Sequence, residues 1–123
     1  MPVREFSFEK LRTWQESRQL VKDIYGLTKD FPRSEVYGLV SQLNRASVSV
    51  ACNLAEGCSR TSRKDQAHFS QLAYSSLMET ACLLVLCTDN GFIANDRSVD
   101  LRGRIQGLAA GIHALRQTQT KRS

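Results

Sequence analysis

Residues 42 to 60, QLNRASVSVACNLAEGCSR, carry two stripes on one helical segment, and few folds tolerate that pattern. At about 100° per residue, Leu39, Leu43, Ala46, Val50 and Leu54 share one face. Gln42, Arg45, Ser49, Asn53, Glu56 and Arg60 fall on an adjoining face. What remains is small: Val48, Ala51, Cys52 and Ala55. A helix that offers water no broad charged face is expected to be covered all round, which in a short chain calls for a partner subunit.

Three further segments repeat with the same period. The first runs over 8–29, with Ser7 as its expected cap and Leu11, Trp14, Val21, Tyr25 and Thr28 as its stripe. The second spans 34–57 and contains the double stripe, with Gly57 at its end. The third, 62–89, begins at Ser62 with Asp65 placed as in a capping box; Phe69, Leu72, Ala73, Ser76, Leu77, Thr80, Leu83, Leu84 and Cys87 trace its inner face until Asn90-Gly91. The fourth, 95–117, carries Leu101, Ile105, Leu108, Ile112 and Leu115, followed by a basic tail over 118–123. No segment alternates with a period of two, so no strand is expected. Four helices with short links give an all-α, up-down-up-down antiparallel four-helix bundle, because short links force neighbours to run oppositely.

At 123 residues the chain suits one domain with a real core. It shows no signal-peptide pattern, and its longest apolar run, Ala81 to Cys87, is too short to span a bilayer, so a cytoplasmic protein without a membrane role is expected. Cys52, Cys58, Cys82 and Cys87 have no zinc-ligand spacing and are expected to be reduced and mostly buried. No metal or cofactor is implied. The net charge is +5, and Arg102, Arg104, Arg116, Lys121 and Arg122 alone supply it, since the last 23 residues hold no acid. Such a segment suits an anionic partner, RNA or DNA through phosphate contacts, or serves solubility alone.

The polar groups do not compose an active site. There is no paired Glu-x-x-His motif, Gly-rich phosphate loop or Ser-His-Asp arrangement, and Asp65-x-x-His68 is a single echo of a metal motif. No enzyme is expected. Buried polar atoms must instead satisfy one another, so Arg45 is expected to pair with Glu79 or with Glu56 and to fix helix register or subunit docking. On the fourth helix Gly103, Gly107, Ala110 and Ala114 form a smooth track, which either lets a neighbouring helix approach closely or marks a helix that frays.

FPRSEVYGL at 31–39, SQLNRASVSVACNLAEGCSR at 41–60 and AYSSLMET at 73–80 resemble the bacterial four-helix-bundle family of ribosomal-RNA intervening-sequence proteins. Relatives include the accessory variability determinant of diversity-generating retroelements, a pentameric basic barrel that binds nucleic acid and works with a reverse transcriptase. The resemblance implies a non-catalytic homo-oligomer, a pentamer, with a protein partner such as a reverse transcriptase by analogy. Asn44 departs from the pattern, standing where many relatives carry a second arginine before Arg45, which argues against a phosphate contact there. Two functions follow as expectations: a nucleic-acid-binding or accessory protein using a basic outer surface, or a protein-interaction scaffold. In a pentamer the five basic groups of the last segment become about twenty-five.

Overall fold

The computed structural model describes residues 3–121; Arg122, a candidate phosphate contact, lies outside them. The chain is all-α, with four helices and no strand among the described residues: α1 Arg12–Thr28, α2 Ser41–Cys58, α3 Arg63–Asp89 and α4 Asn95–Thr120. Side-chain contacts tie each helix to the next. Ser49 Oγ lies 2.8 Å from Ser76 Oγ across α2 and α3. Ser70 donates to Gln119 and Thr88 donates to Ser98 across α3 and α4. The Thr28 hydroxyl lies 3.2 Å from Asn44 Oδ1 across α1 and α2.

The core is one apolar cluster. Leu43, Val50 and Leu54 of α2 meet Leu77, Leu84 and Cys87 of α3 and Leu101, Ile105, Leu108 and Ile112 of α4. These are positions that the 3.6-residue period selects. The first helix differs. Its buried residues are Thr13, Ser17, Leu20, Ile24 and Thr28, while Tyr25 is exposed and Leu11 and Trp14 only pack at the margin. Two of the buried hydroxyls are satisfied within the helix, Ser17 donating to the Trp14 carbonyl and Thr28 to that of Tyr25, which lets small polar residues face the core.

The helix ends also depart from the periodic reading. Leu11 is extended, so α1 begins at Arg12 after a separate 3₁₀ turn over Ser7–Lys10, and Ser7 caps nothing. Residues 33–40 form a 3₁₀ turn and a π turn before α2, leaving helical geometry at Gly38 (φ −107°, ψ −112°). At α3 the Ser62 side chain accepts the Asp65 amide as a cap, and Gly91, at φ 77°, turns the chain out of the helix. Gly57 lies inside α2 and is buried; an added Cβ would stand 3.3 Å from the Phe69 Cβ, so its smallness lets α2 and α3 close together. The fourth helix continues through 118–120, which are helical rather than tail.

By length and composition α3 is apolar enough to cross a membrane, and only 33% of its most apolar window is buried in the bundle. The longest unbroken apolar run understates this, because upstream of Thr80 the helix from Ser70 carries Ser, Gln and the single charge of Glu79 among Leu, Ala, Tyr and Met. Cys52, Cys58 and Cys82 are exposed and only Cys87 is buried, against the expectation of mostly buried thiols. Burial pushes the Cys87 thiol up to about 11, the Glu35 carboxylate adding to it, so it stays neutral.

Candidate functional site

Two surfaces gather the polar residues that the sequence singles out. The first is a groove of about 390 Å³ lined by Tyr37, Gln42, Arg45, Ser49 and Glu79. The turns at 33–40 place Tyr37, a residue 96% exposed, at its rim. Beside the groove Ser49 accepts from Asn53 at its carbonyl and hydroxyl, and its hydroxyl reaches Ser76. The expected ion pair is not formed. Among the described residues the pairs are Arg12–Glu16, Arg60–Glu56 and Arg104–Asp23, so neither Glu79 nor Glu56 holds Arg45. Arg45, Glu56 and Glu79 are all exposed, where water removes the penalty that would force a pair, and Glu56 already has Arg60 one turn away.

Around this groove the outer face of α3 is short of charge. Leu72, Met78, Val85 and Leu86 are 37–44% exposed, and Glu79 is the one charged residue among the exposed positions from 71 to 86. An apolar strip of this kind marks a contact surface. A smaller groove between α3 and α4, about 260 Å³ and lined by Met78, Val85 and Ile105, continues it to Arg102.

The second surface lies at the far end of the same helix pair. The first two to three turns of α3 and the C-terminal end of α4 flank a cleft of about 710 Å³, lined by Arg63, Lys64, Ala67, His68, Gln71, Arg116, Gln119, Thr120 and Lys121. Among the described residues that line it, four side chains are cationic and none is acidic. The ends are tied together where Arg63 Nη1 donates to the Lys121 carbonyl at 3.0 Å and Ser70 Oγ donates to Gln119 Oε1 at 2.6 Å. Arg116 is half-buried, and its Nε is shielded without a hydrogen-bond partner among the described residues. An orphaned donor of this sort costs roughly 1–3 kcal/mol.

The five basic residues nominated from the sequence therefore separate. Arg116 and Lys121 meet in the cleft. Arg104 is on another side, neutralised by Asp23 of α1, and Arg102 stands about 21 Å along α4 from Arg116 at 1.5 Å per residue. Arg63, Lys64 and His68 were missed. Their signal was the basic run at 60–64, which looks like an ordinary helix start until α4 returns beside it.

Gly103, Gly107, Ala110 and Ala114 are exposed on an unbroken α4, so the helix does not fray at the glycines. Nothing lies within 4 Å of a Cβ added at Gly103 or Gly107. Gly103→Ala with Gly107→Ala is expected to stabilise the bundle by about 1–2 kcal/mol in thermal melts, since each glycine costs helix about 1 kcal/mol. A fall in assembly mass instead would place the track at a subunit contact.

The family described as 23S rRNA-intervening sequence protein matches residues 9–114, which is most of the chain and includes all of α1, α2 and α3. The chain belongs to the 23S rRNA-intervening sequence protein family. A crystal structure of a protein of unknown function from the S23 ribosomal protein family of Bacteroides thetaiotaomicron shares the fold, with a TM-score of 0.78 at 17% identity over 84% of this chain and 96% of that one. No curated protein matches the chain. The intervening-sequence family match extends into α4 only as far as 114, so Arg116 and Lys121 lie beyond it. Arg45, Asn53 and Glu56 lie within it. No group of three or more His, Cys, Asp or Glu stands together as a metal site among the described residues.

Proposed function

We propose that this chain is a non-catalytic, cytoplasmic, up-down-up-down antiparallel bundle that assembles into a homo-oligomer, five-fold by family resemblance, and binds nucleic acid through phosphate contacts. The observation that carries the reading is the end cleft, where four cationic side chains from two helices line one open surface with no carboxylate among them. In a five-fold assembly about twenty such groups would act together. Contacts of this type neutralise phosphates without reading bases, so binding is sequence-tolerant and salt-sensitive. Self-association is supported by the charge-poor outer face of α3.

A protein-interaction scaffold is the second reading, favoured by the polar groove and its nearly fully exposed Tyr37, a side chain type that anchors interfaces. A reverse transcriptase is the partner that the resemblance suggests; nothing in this chain ties it to a retroelement. Fluorescence anisotropy with a labelled duplex and a labelled single strand separates the readings. Binding at low salt that weakens linearly in log–log form as salt rises supports the first, and no binding at low salt leaves the scaffold.

A further inference from the structure

We infer that the α3–α4 end cleft is a discrete phosphate site with Arg116 as its anchor, gripping one phosphate group of a bound strand; this rests on the nucleic-acid reading above. A diffuse basic surface would need only exposed cations. Here one of the cations, Arg116, is half-buried, and its Nε has no partner while the rest of the cleft is tied together by Arg63 and Gln119. A guanidinium edge offers two parallel N–H donors that match two oxygens of one phosphate, and a lysine cannot reproduce that fork. Because Nε has no hydrogen-bond partner among the described residues, this edge of Arg116 can turn toward an incoming oxyanion without giving up a hydrogen bond at Nε. Gln119 adds to the donor set: its Oε1 is taken by Ser70, which leaves its amide NH₂ to donate. Lys64 and Lys121 are exposed at the rim and supply attraction at longer range.

Inorganic phosphate and a nucleic-acid strand share this chemistry, so both are used as probes. In the first arm, thermal melts compare phosphate with chloride at matched ionic strength. Phosphate tenfold above its Kd is expected to raise the Tm of the unmodified chain by about 4 °C. Arg116→Lys and Arg116→Gln should lose most of that rise, and Arg97→Gln, on the exposed start of α4, should keep it. In the second arm, Arg116→Lys should weaken binding of a labelled strand about tenfold although the charge is retained. Circular dichroism and gel filtration confirm that each variant folds, and Lys64→Gln at the exposed rim, with a smaller expected loss in both arms, keeps the test open if Arg116 variants do not. Equal phosphate responses in the unmodified chain and in Arg116→Lys would overturn the site. A phosphate response lost on substitution while strand binding is unchanged would overturn its assignment to a strand and leave nucleic-acid binding to other cations. A strand that never binds, with the phosphate response intact, would instead remove the nucleic-acid reading.

Discussion

Leu84→Ala is expected to destabilise the protein by about 3 kcal/mol, lowering Tm by roughly 10 °C at a fixed protein concentration. Leu84 is fully buried in the central cluster of α3, against residues of α2 and α4. Removing three of its carbons takes away apolar burial and leaves a cavity, because helices on either side are held by their own contacts and collapse only in part. Tyr25 gives the contrast. It looks like a core residue by size and spacing, yet it is exposed on α1, so Tyr25→Ala should stay within about 0.5 kcal/mol. A loss below 1 kcal/mol for Leu84→Ala would show that α3 does not seat this side chain in the core, and a loss above 2 kcal/mol for Tyr25→Ala would show that α1 presents a different face to it. Melts followed by circular dichroism at one concentration measure both, since association makes Tm depend on concentration.

The second large effect concerns assembly. Met78→Glu with Val85→Glu is expected to bring the mass measured by light scattering down to that of the 13.8 kDa chain while helical content is kept. Both side chains sit partly exposed on the charge-poor face of α3, so in the free chain two carboxylates there remain hydrated and cost the fold little. Between subunits the same carboxylates would be desolvated without partners. An unmodified chain that already runs as a monomer, or a double variant of unchanged mass, would move the contact surface elsewhere, the α4 glycine track being the next place to test.

Much of the fold was legible because α2, α3 and α4 place large aliphatic residues at 3.6-residue spacing, although α3 also leaves Leu72, Met78, Val85 and Leu86 partly exposed, Leu72 against the inner face expected for it. The first helix was read one face over. Trp14, Val21 and Tyr25 are bulky and nearly in phase, but the buried line is completed by Thr13 and Ser17, residues that polarity alone assigns to water. The start of α2 was placed early because the apolar residues of 36–40 fit a helical period while the backbone passes through Gly38 in another geometry. The Arg45 ion pair failed for a different reason. Burial was assumed for a stripe that one chain leaves partly exposed, and exposure removes the need for a counter-charge.

The cleft was only half legible. Arg116 and Lys121 stood out as part of an acid-free segment, but Arg63 and Lys64 lie about fifty residues earlier, in a region whose charge is balanced by neighbours in sequence. Their convergence is a product of helix pairing, which brings the start of α3 beside the end of α4. Composition could indicate an anionic partner; only the fold separates the two cleft residues from Arg104, which spends its charge on Asp23, and from Arg102, about half the helix away from Arg116.

The most direct measurement of the whole account is a salt titration of strand binding for the unmodified chain beside the Lys64→Gln/Lys121→Gln variant. Both lysines are exposed, so the variant should fold and assemble normally. The unmodified chain should lose log affinity linearly against log salt, at about 0.9 per duplex phosphate neutralised, and the variant should bind more weakly with a slope shallower by about two for each cleft engaged. Identical affinity and slope for the two proteins would contradict the account.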